Sequence, residues 1–486
     1  MTEIRAAGDF NLASAEILTS SGTLINIKTN ISQINIYEDC GRNSISGEML
    51  MHDSGGFVSV GPIMGQEYLS LKLQTSSLTD ENDVIDFTEN VFLINSIDNR
   101  TEVGNNVSVY LVSFTSSELV KNQRTRINKS LVGSFSDIVK QMFETVNCKK
   151  KVFIEPTRGI KRMVLPNISP FDVINLAAKQ ATSNYNVNYS PNYLFFETFK
   201  GYHFRSLSSL YAQPMVQTYE TFIPGTQANL FVGSKSGKKG FVAIERELAM
   251  ILGYEIIENN DSLFNYTTGV LGSKLISHNI YTKSFKRYDY NYFDNFGKED
   301  HIEKYHSKEQ HPIFSDVSIE NGGLRGSDFP SRTYLTSISK AENDVNNTTV
   351  NNTEPYAAPD PENSLQERVS TLNQLNKGLL LNIIVHGNTS VNAGDIVKVD
   401  IPLTSAYKVP EEEGLDRFYQ GAFLIKRIKH SFDFGEKKHK SILTLVKDSL
   451  PKKLEGPKNQ VEPKPKKSIN VISRKDVFYP QLSDYT

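Results

Sequence analysis

Three histidines spaced five residues apart are the first group in this sequence that could bind a metal ion. His301, His306 and His311 have this spacing, with Glu303 and Glu309 beside them. Ligand pairs on a helix stand three or four positions apart, because that spacing puts both side chains on one face. A spacing of five turns the side chains to different faces and favours a polar loop. A metal-dependent hydrolase is kept as an alternative function.

A glycine- and lysine-rich stretch, residues 233–240, resembles a phosphate-binding loop. Such a loop needs four residues between its glycines, then Lys followed by Ser or Thr. Here three residues separate Gly233 from Gly237, and Lys239 follows Lys238, which indicates a linker. The sequence also contains no Gly-x-Ser-x-Gly elbow and no Cys-His arrangement. We predict no catalytic residue, no cofactor and no bound metal, in a protein that is not an enzyme.

A lysine- and proline-rich segment follows Pro451. It contains six lysines and two glutamates before Ser468. This composition suits an extended arm that docks an acidic surface of a partner, with a solvated tail as the alternative. The residues expected to dock are Lys452, Lys453, Lys464, Lys466, Lys467, Phe478 and Tyr479.

Composition and charge limit the classes of protein to which the chain can belong. Its 486 residues carry a net charge of -2, whereas a dedicated nucleic-acid binder has a marked basic excess. No apolar run approaches the roughly 20 residues that span a bilayer, and the N-terminus has no apolar signal core. Cys40 and Cys148 are too few for a disulfide framework and are expected to be free thiols in a reducing cytosol. We expect folding in a cytoplasm and no membrane insertion.

The elements that must position any site alternate between β-rich and mixed regions. Short strands with partial period-two patterns fill the first hundred or so residues, which indicates a barrel or sandwich. Ser134 with Asp137, and Ser169 before Pro170, each predict a capped helix, and a hairpin follows the second of these helices. Strands return after a linker, and an Asn-rich loop ends at a capping box of Ser364 and Glu367. No residue-level repeat is visible between the two β-rich regions.

Three stretches resemble the baseplate hub proteins of T-even-type phages, which are relatives of the spike-bearing hubs of type VI secretion. The first is SPFDVINLAAKQA with NYLFFETFKGYHFRSLSSLY, within residues 169–211. The second is GVLGSKLISHNIYTKSFKRYDY, residues 269–290. The third is HGNTSVNAGDIVKVDIP, residues 386–402, with YQGAFLIKRIKHSF and LTLVKDSL after it. Their serial order carries the resemblance over roughly residues 1 to 450.

The resemblance implies a mainly β fold with an α/β insertion (α+β), built around two tail-tube-like β-barrels. The first barrel is assigned to residues 1–117 with 206–232, and the insertion to 118–205. The second barrel and its associated strands are assigned to 241–341 with 378–450. A mobile loop and helix occupy 342–377, and the extended arm occupies 451–486.

The function implied is that of a structural hub in the baseplate of a contractile phage tail. Three copies would place six barrels in a ring that adapts a six-fold tail tube to a three-fold central spike. Expected partners are two further copies of the chain, the tail tube protein, the central spike protein and the baseplate wedge proteins. The protein is expected in the virion after assembly in the host cytoplasm. DNA would pass through the ring during genome ejection without specific binding, because a bore that is not basic holds few phosphates.

A carbohydrate-binding tail adhesin is the other alternative. The chain is rich in β-structure and contains 22 tyrosines, which could stack on sugars. It contains 0 tryptophans, however, and tryptophan offers the largest stacking face. Clear hits on a glycan array would favour this alternative, and a stoichiometric bound metal would favour the hydrolase.

Overall fold

The computed structural model describes residues 7–60, 63–75, 84–104, 107–184, 190–221, 246–280, 283–307, 309–314, 325–338, 364–402, 416 and 418–453. The fold is mainly β with some helix, and a closed barrel of six strands lies within these described ranges. This confirms the fold class that was predicted from the sequence. The linker at 233–240 and the Asn-rich loop at 343–363 lie outside the described residues.

The first part of the chain encloses one hydrophobic core within its strands. Alternate residues point inward, as in β5, where Leu69, Leu71 and Leu73 are all buried. The elements are β1 (Phe10–Leu18), β2 (Leu24–Asn26), β3 (Ile31–Asp39), β4 (Ser46–Asp53), α1 (Phe57–Val60), β5 (Tyr68–Thr75), β6 (Val84–Asp86), β7 (Phe92–Glu102) and β8 (Ser108–Ser116).

The next segment is mixed and has a core of its own. Ser134 accepts a hydrogen bond from the backbone N–H of Asp137, and Ser169 accepts one from Asp172, so both predicted helix caps are confirmed. The two long helices, α3 and α4, pack on a small sheet in the order β10-β13-β12. The elements are α2 (Ser117–Arg124), β9 (Ile127–Gly133), α3 (Phe135–Val146), β10 (Val152–Ile154), β11 (Lys161–Ile168), α4 (Pro170–Gln180), β12 (Tyr193–Thr198), β13 (Gly201–Ser206) and α5 (Leu207–Tyr211).

The remaining chain forms the second barrel and a smaller sheet of β17, β16 and β19. Helix α9 reaches that sheet, since Gln366 donates to the backbone oxygen of Ser273. The elements are β14 (Met215–Thr221), β15 (Met250–Asn259), α6 (Ser262–Thr268), β16 (Gly272–Asn279), β17 (Ser284–Asn291), α7 (Tyr292–Asn295), α8 (Ile302–His306), β18 (His311–Pro312), β19 (Arg332–Ile338), α9 (Leu365–Lys377), β20 (Leu379–His386), β21 (Ile396–Asp400), β22 (Gly421–Asp433), β23 (Lys438–Lys447) and β24 (Ser449–Leu450).

The two barrels have the same strand order. Along the chain, the first uses β1, β3, β4, β5, β7 and β8, and the second uses β14, β15, β20, β21, β22 and β23. Across the sheet, both follow the order first, fourth, fifth, sixth, third, second. In the second barrel, β14 also pairs with β15, and β22 pairs with β23, which closes the ring. In the first, no pairing joins β1 to β3 among the described residues, so that set of six strands is open. The first strands also differ in direction, since β1 is antiparallel to β5 whereas β14 is parallel to β21. The strand order is therefore duplicated within one chain.

One short likeness in sequence accompanies the shared strand order. The fifth strand of the first barrel begins FLINSI, residues 92–97, and the fifth strand of the second contains FLIKRI, residues 423–428. Four of these six positions are identical. The match is too short to stand out in a chain of this length without the strand order.

Two further expectations need correction. Residues 206–232 were assigned to the first barrel, but β14 pairs in parallel with β21 and β15, so it belongs to the second. The capping box at Ser364 and Glu367 is also wrong. The Ser364 side chain does not cap α9, and the Glu367 carboxyl accepts a hydrogen bond from Asn192 instead.

Candidate assembly site at the joint of the two barrels

The two barrels are joined by one antiparallel pair of strands, β3 and β22. The register runs from Arg427 opposite Asp39 to Asp433 opposite Gln33. This is possible because β22 is long. Its first residues pair with β21, and its last residues continue past β21 to reach β3. The barrels thus share main-chain hydrogen bonds in one continuous sheet.

Side chains at the end of β3 strengthen this joint. Arg427 Nε donates to Asp39 Oδ2 at 2.6 Å, across the strand pair. The Glu38 carboxyl accepts from the backbone N–H of Phe199 at 2.7 Å and from that of Ala393 at 2.8 Å. One buried carboxyl therefore contacts the first barrel, the α/β segment and the loop before β21. Burial raises the pKa of Glu38 to about 8, although both N–H groups oppose that rise.

A buried ion cluster attaches the α/β segment to the first barrel. Lys150 Nζ lies 2.6 Å from Glu197 and 3.0 Å from Glu118, and the three side chains are 0% to 6% exposed. Glu197 also accepts from the backbone N–H of Ile45 at 2.9 Å and from Ser116 Oγ. Burial works to lower the pKa of Lys150, but the two carboxylates hold it above its ordinary value. The cluster contacts β8, the start of α2 and β12 together.

A second ion pair fixes α8 against the closing strands of the second barrel. Lys447 Nζ lies 2.8 Å from Glu303, and both side chains are almost fully buried. Asp448 accepts from the backbone N–H of Ile302 at 3.1 Å, and its other oxygen lies 3.1 Å from His301 Nδ1. His301 also stacks on a phenylalanine ring. Its contacts are those of a packed structural residue.

The histidines considered for a metal site do not converge. His306 lies 2.8 Å from the backbone oxygen of Tyr211, and His311 lies 3.2 Å from Glu309. His301 is engaged with Asp448. Within the ranges that the structure describes, no group of three His, Cys, Asp or Glu side chains could hold a metal ion.

The arm begins at the surface. Lys452 and Lys453 are exposed just after β24. The other residues proposed to dock a partner lie outside the described residues, and these are Lys464, Lys466, Lys467, Phe478 and Tyr479.

A buried histidine pair beside the joint was missed by sequence reasoning. His430 Nδ1 lies 3.2 Å from His439 Nε2, and both rings are completely buried. His430 stands opposite Ile36 in the β22–β3 register, and its ring lies 4.9 Å from that of Phe199. Burial lowers the pKa of His430 to about 3, and that of His439 lies well below its ordinary value. Both rings stay neutral at pH 7, and the alternation along β22 is the sequence signal that places His430 inside.

A crevice of about 490 Å³ lies where the three parts of the chain meet. Lys150 and Glu197 line it, and so do Lys200 and Asn392. The ammonium of Lys150 is held by carboxylates, and that of Lys200 lies 3.2 Å from Asp395. These two ammonium groups are thus engaged in connecting elements of the fold.

No helix in the described part of the chain is long and apolar enough to cross a membrane.

Comparisons with known proteins find solved structures of low similarity to this chain. No protein-family model matches the chain, and no curated protein is similar to it in sequence. A tail protein from Neisseria meningitidis MC58 aligns at TM-score 0.48 and 11% identity, covering 90% of this chain and 97% of that one. A 43 kDa tail protein of prophage MuSo2 from Shewanella oneidensis aligns at 0.46 and 9%, covering 89% and 98%. The E. coli c3393 protein, a type VI secretion component described as similar to the T4 tail proteins gp27 and gp5, aligns at 0.40 and 8%, covering 90% and 76%. By their descriptions, these three structures are two tail proteins and a type VI secretion component.

Proposed function

We propose that this chain is a structural hub subunit of a contractile phage tail baseplate and that three copies form a ring of six barrels. The observation that carries the proposal is the duplicated barrel, joined edge to edge through β3 and β22. Two barrels of the same strand order within one chain can present a six-fold rim from a three-fold assembly. Such a ring would match a six-fold tube on one side and a three-fold spike on the other.

The use of buried charge supports a structural function. Lys150 with Glu118 and Glu197, and Lys447 with Glu303, each connect separate parts of the fold. The Glu38 carboxyl, which is largely protonated at pH 7 because burial raises its pKa to about 8, connects three of them through hydrogen bonds. Buried pairs of this kind stabilise one arrangement of the elements when every partner is present, because removing one partner is costly. A rigid joint is what an adapter between two symmetries needs.

The proposed partners follow from the same arrangement. The tail tube protein would stack on the barrel rim, the central spike protein would bind the opposite side, and wedge proteins would surround the ring. The lysine-rich arm, which begins at the exposed Lys452 and Lys453, would dock an acidic partner surface. DNA would pass through the bore during genome ejection without specific binding, since the net charge is -2. The protein would reside in the virion after assembly in the host cytoplasm.

Electron microscopy of whole tails tests the proposal. Antibodies raised against this chain and labelled with gold should decorate the central baseplate of detached tails. Light scattering on the purified protein, alone and with the spike protein, should give the mass of three copies. Tails that contain none of the protein would contradict the proposed function, and so would a monomer that stays single with the spike present.

A further inference from the structure

The duplication can be followed residue by residue, and the β-bulges serve as markers. In β22, the pairing with β23 shifts between Ile425 and Arg427, and in β7 the pairing with β8 shifts between Ile94 and Ser96. These shifts fall at the same place in FLIKRI and FLINSI. A bulge inserts one extra residue and bends a strand, so a shared bulge fixes the alignment of two strands. β7 is therefore the counterpart of β22.

The second strands of the two barrels align in the same way. The pairing of β3 with β4 shifts between Ile31 and Gln33. The pairing of β15 with β20 shifts between Ile251 and Gly253. β15 is therefore the counterpart of β3, and the two strands that join the barrels within the chain each have a counterpart elsewhere in it.

In the described part of the chain, those counterparts present edges that are only partly paired. Among the described residues, β5 pairs with β7 only at Phe92 and Leu93, and the rest of that edge of β7 has no partner strand. Among the same residues, β14 pairs with β15 only at Met250 and Ile251. The part of β15 beyond Ile251 carries exposed apolar side chains, Leu252, Tyr254, Ile256 and Ile257, each 41% to 47% exposed. Natural proteins usually shield such an apolar edge, because an open strand recruits another strand.

We propose that β15 of one copy pairs antiparallel with β7 of a second copy, as β3 pairs with β22 within the chain. The proposal rests on the proposed function, since it identifies the seam between hub subunits. The contact uses two different surfaces of the chain, so it is head-to-tail and closes into a ring when the rotation allows. Each ring would then have alternating joints, one β3–β22 within a chain and one β15–β7 between chains.

The register across the proposed seam follows from the register within the chain. Transferring the β3–β22 register onto the counterparts, with the further shift of β7 between Asp98 and Thr101 counted, places Glu255 opposite Thr101. Both residues are exposed in the single chain. Residues directly opposite each other in an antiparallel pair have their side chains on the same face, so a charge at position 101 would meet the Glu255 carboxylate.

A charge placed opposite Glu255 tests the seam. Thr101→Glu should weaken self-association of the full chain by about tenfold or more, because two carboxylates then meet across the contact. The double variant, Thr101→Glu with Glu255→Arg, should restore association towards the parent. Self-association is measured by light scattering or sedimentation over a concentration series, alone and with the spike protein. Glu144→Arg, at an exposed position of α3, is the matched control and should leave association unchanged.

Cross-linking provides a second measurement that does not depend on charge. Thr101→Cys with Glu255→Cys in one chain should give disulfide-linked oligomers up to a closed ring, whereas either single variant should give none. Cross-linked dimers of the single Glu255→Cys variant would overturn the proposal in favour of a β15–β15 contact. A parent that does not associate, or a Thr101→Glu variant that associates like the parent, would also overturn it. A ring that responds to the charge variants but is absent from tails would contradict only the proposed function.

Discussion

Replacing Lys150 by methionine should destabilise the chain far more than a typical lysine substitution. The change keeps the length of the side chain and removes an ammonium that lies 2.6 Å from Glu197 and 3.0 Å from Glu118. Both carboxylates are 2% exposed or less, so water cannot replace the lost partner. Removing one partner from a buried ion pair costs about 3–5 kcal/mol. We expect the free energy of unfolding at pH 7 to fall by that amount.

The measurement is urea unfolding followed by far-ultraviolet circular dichroism, since the chain contains 0 tryptophans. Lys140→Met is the matched control. Lys140 is 61% exposed and lies 3.8 Å from Asp137, so its loss should change the free energy of unfolding by about 0.5 kcal/mol or less. Comparable effects of the two substitutions would refute the reasoning, because they would mean that Lys150 is solvated.

The pH dependence provides an independent check of the same reasoning. Burial works to raise the pKa of Glu118, but the Lys150 ammonium holds it below its ordinary value. Without that ammonium, the pKa of Glu118 in the folded variant should rise above its value in the unfolded chain. A group with a raised folded pKa contributes stability at low pH and loses it as pH rises. The deficit of Lys150→Met should therefore grow from pH 5 to pH 7, by up to about 1.4 kcal/mol per pH unit. A deficit that does not change with pH would contradict this account.

Three further results are expected. Lys447→Met should cost about 3–5 kcal/mol in urea unfolding because it leaves Glu303 buried without its partner 2.8 Å away, and the double variant with Glu303→Leu should recover most of that loss. Burial lowers the pKa of His430 and of His203 to about 3, so each ring takes up a proton only on unfolding and costs about 2 kcal/mol of stability between pH 7 and pH 5. The raised pKa of Glu38 acts in the opposite direction over the same range, so the histidine contribution is read from a variant. The stability of the parent relative to His203→Gln should fall by about 2 kcal/mol from pH 7 to pH 5, and a difference that does not change with pH would contradict the burial of His203. Gel retardation with duplex DNA at physiological salt should be negligible for a chain of net charge -2, and strong retardation would count against passage of DNA through the ring.

Local signals in the sequence predicted where helices begin better than they predicted which strands pair with each other. Ser134 and Ser169 cap their helices as expected, because a cap involves residues only three positions apart. β14 was placed in the wrong barrel, because its partner β21 lies far along the chain. Its short sequence contains nothing that distinguishes one barrel from the other. Strand order depends on contacts that no local window contains.

The charged groups of the joint were unpredictable for the same reason. Lys150 and Glu197 are separated by 47 positions, and Glu38 lies 355 positions from Ala393. In the sequence, each is an ordinary charged residue, and only the fold removes it from water. The histidines at 301, 306 and 311 show the reverse case. Their regular spacing attracts notice, yet each ring contacts a different part of the structure.

The differences between the counterpart strands are as informative as their likeness. In β22, the residues that reach β3 include His430 and Phe432, both fully buried, as expected of a contact made once during folding. In β7, the corresponding stretch carries Asp98, Arg100 and Glu102, all exposed in the single chain. A strand that must stay in water before it finds its partner needs such charges, because an apolar edge would pair with any open strand. Duplication thus supplies two joints of the same geometry. Buried residues of β22 mark the joint within the chain, and exposed charged residues of β7 mark the joint proposed between chains.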